Sequence, residues 1–189
     1  YGITVDKATA DFVGVIKRSR GVADKMSKGI QYLMKKNKID VIMGNGKLVA
    51  SNKLEVTAAD NSKQILEAKN IIIATGGRAR QLPTMPIDGK KIIGYREAMS
   101  LPTQPKSMII CGSGAIGSEF AYFYNSLGTK VTIVEFLPRL VPVEDEDVSK
   151  ELERVFRKKG LTVMTNSSVE KARRASALMM FDIRTPHDE

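Results

Sequence analysis

Residues 106–136, KSMIICGSGAIGSEFAYFYNSLGTKVTIVEF, constrain the fold more than any other part of the chain. Met108, Ile109, Ile110 and Cys111 form an unbroken apolar run, the pattern of a parallel strand covered on both faces. Gly112, Ser113, Gly114, Ala115, Ile116 and Gly117 follow directly. Ile116, Phe120, Phe123 and Leu127 then recur at helical spacing until Gly128 stops the helix. Val131, Thr132, Ile133 and Val134 make a second strand, which ends on an acid, Glu135. Strand, glycine turn, helix, strand and acid in this order predict a βαβ unit of an α/β fold.

The turn satisfies G-x-G-x-x-G, and each glycine has a physical task. Gly112 allows the tight turn, Gly114 lets the backbone approach a pyrophosphate, and Gly117 lets helix and strand pack closely. The helix start then offers free N–H groups and a partial positive charge to the phosphates. Glu135 stands at the distance where a carboxylate meets adenosine ribose hydroxyls. A carboxylate disfavours the extra phosphate of NADP, and Phe136 beside it supplies no compensating charge, so NAD is the expected cofactor.

At 189 residues the chain has room for one large or two small domains. No apolar run approaches the roughly 18 residues of a membrane span, so no membrane partner is expected. A single cysteine excludes an internal disulfide framework and fits a reducing cytoplasm. Cys111 closes a strand just before the glycine turn, where burial is expected rather than reactivity. The net charge of +9 raises nucleic acid as a partner. Yet Lys and Arg are spread along helices with few aromatics between them, so a solvated basic face and no nucleic-acid partner are expected. The opening Tyr1, Gly2 and Ile3 lack an initiator Met and a signal-peptide pattern, and the chain reads as a piece of a longer protein.

Phe12, Val15, Ile16, Val22, Met26, Ile30, Leu33 and Met34 predict one amphipathic helix from Asp11 to about Lys36, weakened by Gly14, Gly21 and Gly29. Residues 40–43 predict a strand, and Gly44, Asn45 and Gly46 a turn. Residues 47–50, 53–57 and 64–68 predict a small antiparallel meander. Residues 70–73 predict another buried strand, running into Ala74, Thr75, Gly76 and Gly77. Pro83, Pro86, Pro102 and Pro105 mark 78–106 as a connector, with a short helix near 96–100. Glu144, Asp145, Glu146 and Asp147 open the next helix, where acids suit the dipole; no metal site is expected. Val148, Leu152, Val155 and Phe156 form its buried stripe, and 161–164 start a third parallel strand. Residues 172–189 lack the paired-strand rhythm that ought to follow Val169, and His187, the only histidine, reads as solvated.

The turn at Gly44, Asn45 and Gly46, the run IIIATGGRAR, CGSGAIGSEFAYFYNSLG and VTIVEF together resemble the flavin-dependent pyridine nucleotide–disulfide oxidoreductases, and among them the dihydrolipoamide dehydrogenases of bacterial type. The resemblance covers roughly residues 1 to 170. It implies an α/β, Rossmann-like FAD/NAD(P)-binding architecture, a parallel sheet with helices plus a small antiparallel meander, in two partial domains. Residues 1–79 would be the C-terminal portion of an FAD domain, 80–105 a connector, 106–171 an incomplete NAD domain and 172–189 an atypical tail. Gly112, Ser113, Gly114, Ala115, Ile116 and Gly117 would hold the NAD pyrophosphate and Glu135 the adenosine ribose. Val169 would border the adenine, and Glu119 would lie near nicotinamide and flavin. The backbone at Gly46, Ala74, Thr75 and Gly76 would touch FAD.

The family's redox cysteine pair and His–Glu base have no counterpart here, and Cys111 cannot stand in for the pair. No catalytic residue is therefore expected in this chain. The whole enzyme, by resemblance, is a cytoplasmic homodimer that reoxidises dihydrolipoamide on the lipoyl domain of a 2-oxoacid dehydrogenase or glycine cleavage complex, passing electrons through its disulfide and FAD to NAD. Three alternatives stand beside it: a sister flavoprotein disulfide reductase or NADH oxidase, a non-catalytic NAD-binding module or truncated product, and a nucleic-acid binder. Glu135 argues against an NADP-linked glutathione reductase. The departure after about Lys171 suggests a disrupted reading frame.

Overall fold

The computed structural model describes residues 6–175 and 178–186. The chain divides into two units, residues 1–20 with 79–189, and residues 21–78. Helix α1 (Phe12–Lys36) runs through both, as its apolar spacing predicts. Past its last turn the Ile39 N–H donates to the Met34 carbonyl at 2.9 Å, with Lys38 in the left-handed region at φ 55°. Only its first turns meet a core: Phe12 is buried with its ring 6.0 Å from that of Tyr124, and Ile16 packs nearby. Val22, Met26, Ile30 and Leu33 are exposed. The stripe forms, but among the described residues nothing buries it.

Within residues 21–78, β1 (Asn45–Ala50), β2 (Lys53–Thr57) and β3 (Lys63–Glu67) pair antiparallel in the order β1-β2-β3, the expected meander. The β2–β3 turn is tied by Asp60, whose Oδ1 accepts from the N–H and hydroxyl of Ser62 at 3.0 and 2.6 Å. Two expectations fail here. Asn45 and Gly46 already belong to β1, so the turn signal there marks a strand start; a Cβ on Gly44 would sit 2.7 Å from the Thr57 carbonyl oxygen, which is why glycine is needed. Residues 40–43 and 70–73 are irregular and, apart from half-buried Ile71, exposed, Ile72 by 91%. A parallel strand exists only as part of a ladder, and among the described residues neither segment finds one.

In the other unit, the connector is anchored at several points. Asp88 accepts three backbone N–H bonds, from Lys90, Lys91 and Ile92. The short helix α2 (Tyr95–Ala98) opens with the Gly94 N–H donating to Glu97 Oε2 at 2.8 Å. The Tyr124 hydroxyl then donates to the Ala98 carbonyl. Strands β4 (Ser107–Cys111), β5 (Lys130–Val134) and β6 (Thr162–Met164) pair parallel in that order, with α3 (Ala115–Ser126) and α4 (Glu146–Lys158) as the intervening helices. The middle strand carries the core. Val131 and Ile133 are fully buried, and Ala121, Tyr124, Phe156, Leu161 and Val163 pack with them. Burial of each Val, Ile, Leu or Phe side chain among these stabilises the fold by about 1.5–3 kcal/mol relative to exposure.

β4 is an edge strand here, so it is half-buried and not covered on both faces as expected. Cys111 at its end is exposed and not buried as expected, although crowding on one side still pushes its thiol pKa up. That shift lowers the thiolate fraction at neutral pH. Asp145 caps α4, accepting from the Asp147 N–H at 2.9 Å. Surface pairs such as Lys150–Glu146 are solvent-screened and add little.

β7 (Ser168–Ala175) and β8 (Leu178–Arg184) pair antiparallel, with Val169 opposite Ile183 and Ala172 opposite Phe181. The expected lack of pairing after Val169 is thereby corrected. A register shift between Val169 and Lys171 breaks the period-two alternation that a linear count relies on. His187 lies outside the described residues. No helix among the described residues is long and apolar enough to cross a membrane.

Candidate functional site: the glycine turn and its acid

Parallel register sets Cys111 beside Val134, so β4 and β5 release the chain at the same end of the sheet. There the Gly112 N–H donates to the Val134 carbonyl at 2.8 Å, with Gly112 at φ 96°, a conformation that other residues rarely adopt. Gly117 faces the tightest constraint in the turn, since a Cβ there would lie 2.2 Å from the Gly112 carbonyl oxygen. The outer side is open: a Cβ added at Gly112 or Gly114 would meet nothing within 4 Å. The first backbone bond of α3 runs from the Ser118 N–H to the Gly114 carbonyl at 3.0 Å. The N–H groups of Ala115, Ile116 and Gly117 therefore have no acceptor one turn back. Open space beside free N–H groups at a helix start suits a pyrophosphate.

Glu135 is 6% exposed, and three donors hold its carboxylate. The Ser113 N–H and hydroxyl both reach Oε2 at 2.7 Å, and the Leu137 N–H reaches Oε1 at 2.8 Å. Ser113 is itself completely buried. Its carbonyl accepts from the Ser118 hydroxyl at 2.9 Å and from the Val141 N–H at 3.1 Å. Val141 makes that bond from φ 39°, a strained value for a β-branched residue. The backbone of Glu135 is fastened to the segment that leaves β6: its N–H donates to Met164, and its carbonyl accepts from Ser167 at 2.9 Å.

The fold thus brings together Gly112, Ser113, Gly114, Ala115, Ile116, Gly117 and Glu135. Val169 is half-buried on β7, two residues beyond Ser167. Glu119 is exposed on α3 and lines a cavity of about 220 Å³ with Ile16, Arg20, Met99, Phe120 and Phe123. Gly46 lies in β1, while Ala74, Thr75 and Gly76 are exposed in an irregular segment, with Gly76 at φ 69°. Among the described residues no hydrogen bond joins residues 69–80 to the sheet.

Three contributions escaped the sequence reading. The side chain of Ser113 points at the acid, the Leu137 N–H caps it, and Arg184 lines a cavity of about 310 Å³ with Phe136, Asn166 and Ser168. Arg184 reaches that cavity from β8 with its guanidinium 3.8 Å from the Glu170 carboxylate, so its charge is balanced locally, and no local signal links positions so far apart.

A family model described as pyridine nucleotide-disulphide oxidoreductase matches residues 1–184. The chain belongs to that family. It is 44% identical over 170 residues to the dihydrolipoyl dehydrogenase of Zymomonas mobilis, covering 90% of this chain and 36% of the relative. The crystal structure of LpdA from Mycobacterium tuberculosis superposes with a TM-score of 0.85 at 29% identity, covering 94% of this chain and 40% of that one. The HOCl-induced flavoprotein disulfide reductase RclA from Escherichia coli gives 0.79 at 26% identity over the same shares. The chain spans about two fifths of the length of the proteins it matches.

Proposed function

We propose that this chain is the dinucleotide-binding central portion of an FAD-containing, NAD-linked dihydrolipoyl dehydrogenase. One observation carries the reading: the Glu135 carboxylate is tied to the glycine turn 22 residues before it, where a βαβ unit receives a pyrophosphate and a ribose. Gly117 keeps the turn closed, the N–H groups of Ala115, Ile116 and Gly117 face the pyrophosphate, and the Glu135 carboxylate accepts from the ribose hydroxyls. Val169 borders the adenine, and Glu119 stands toward the nicotinamide. FAD and NAD, when bound, would supply the redox chemistry, and the protein supplies position and charge. Gly46, Ala74, Thr75 and Gly76 are the flavin contacts of this reading; they need the rest of an FAD domain to act, so the chain alone binds NAD and turns nothing over.

In the whole protein, a soluble cytoplasmic homodimer, the substrate is dihydrolipoamide carried on the lipoyl domain of a 2-oxoacid dehydrogenase or glycine cleavage complex. Its disulfide chemistry requires cysteines beyond the single Cys111 of this sequence. The likeness to RclA favours a second reading, a sister flavoprotein disulfide reductase with the same dinucleotide site.

Titration of the 189-residue chain with NADH, followed by nucleotide fluorescence, tests the site. Saturable binding that is weakened in Glu135→Ala and lost in Gly117→Val is expected. A folded wild-type chain that ignores NADH would overturn the reading.

A further inference from the structure

Given that NAD reading, on which this inference rests, we propose that Ser113 sets the preference for NAD over NADP by locking the Glu135 carboxylate in place. Ser113 is completely buried, so it cannot touch a bound nucleotide through its side chain. Everything it offers points inward. Its N–H and hydroxyl converge on Glu135 Oε2 at 2.7 Å each, while the Leu137 N–H holds Oε1 at 2.8 Å. With both oxygens pinned, the carboxylate can neither rotate nor withdraw. Ser113 is fixed in turn, because its carbonyl takes the Ser118 hydroxyl and the Val141 N–H.

A fixed carboxylate does two things. It presents its remaining acceptor capacity to ribose hydroxyls without first having to be ordered. It also meets a 2′-phosphate with a negative charge that cannot turn aside. Alanine at this position would keep the backbone N–H but lose the hydroxyl, the one side-chain bond that completes the clamp. Ser113 is therefore a positioning residue that acts through Glu135.

The test measures NADH and NADPH dissociation constants for the wild-type 189-residue chain, Ser113→Ala, Glu135→Ala and the double variant, with a thermal unfolding midpoint for each. Ser113→Ala is expected to weaken NADH about tenfold, the scale of one charge-assisted hydrogen bond. NADPH should stay within about twofold or improve, so the selectivity ratio narrows. In the Glu135→Ala background the second substitution should change neither constant, because the group it acts through is gone. Equal losses for both nucleotides, or additive effects in the double variant, would overturn the proposal while leaving the NAD reading intact. If Ser113→Ala fails to fold, Ser113→Cys, nearly isosteric but a weak donor, must narrow the ratio in the same direction or the proposal fails. Absence of NADH binding by folded wild type would instead sink the NAD reading itself.

Discussion

The two units of this chain bury their apolar side chains to very different degrees. In the unit built on β4, β5 and β6, strand residues such as Val131 and Ile133 vanish beneath Ala121, Tyr124 and Phe156, and the N–H groups of Gly112 and Ser113 find partners inside the unit. In residues 21–78, Val56 is buried, yet Val41, Met43, Ile72 and Ile73 lie open. The sequences are equally apolar in these places. What differs is whether, among the described residues, strands and helices of the same unit cover them. A βαβ unit with its own crossover helices closes a core from consecutive residues, whereas isolated parallel strands have nothing to pair with.

The comparison can be broken at its strongest point first. Gly117→Val forces a side chain into the Gly112 carbonyl, so a loss of about 3 kcal/mol is expected, together with loss of NADH binding. Urea unfolding of the variant checks this. Next, Ile133→Ala should cost about 2–5 kcal/mol, while Ile72→Ser should stay within about 0.5 kcal/mol. Equal effects would show that residues 70–73 are covered in solution, contrary to the contrast drawn above.

A smaller effect is expected at alkaline pH. Burial raises the Tyr124 phenol above its ordinary 10.0, so the unfolded chain loses its proton first. Stability should be level below pH 10 and fall as pH rises through the shifted value, and Tyr124→Phe should remove that slope. The smallest effect belongs to Asp88, whose carboxylate is held below its ordinary value by the N–H groups of Lys90, then Lys91 and Ile92. Its contribution is present above the unfolded value of 3.8 and is lost as pH falls through the lowered one. Acid unfolding of Asp88→Asn should show a shallower slope.

Much of this was legible in the residues. The helix from Phe12, the meander, the α/β class and the strand–turn–helix–strand–acid order all follow from local periodicity and glycine placement. So does the approach of Glu135 to the turn, since a βαβ unit brings the ends of its strands together. The linear reading failed where pairing is non-local. It predicted strands at 40–43 and 70–73 because they are apolar, and it missed the β7–β8 hairpin because a bulge breaks the alternation.

The sequence alone therefore determined the strand–turn–helix–strand–acid architecture, because three glycines, a helix start and an acid at that spacing leave few other folds. Only the tertiary structure decided how the acid is held. Ser113 turning its hydroxyl inward, the Leu137 N–H capping the second oxygen and Arg184 arriving beside Phe136 all depend on where β5, β6 and β8 release the chain. Hydrogen-bond partners are set by three-dimensional register, and spacing along a sequence does not encode which way a buried hydroxyl points.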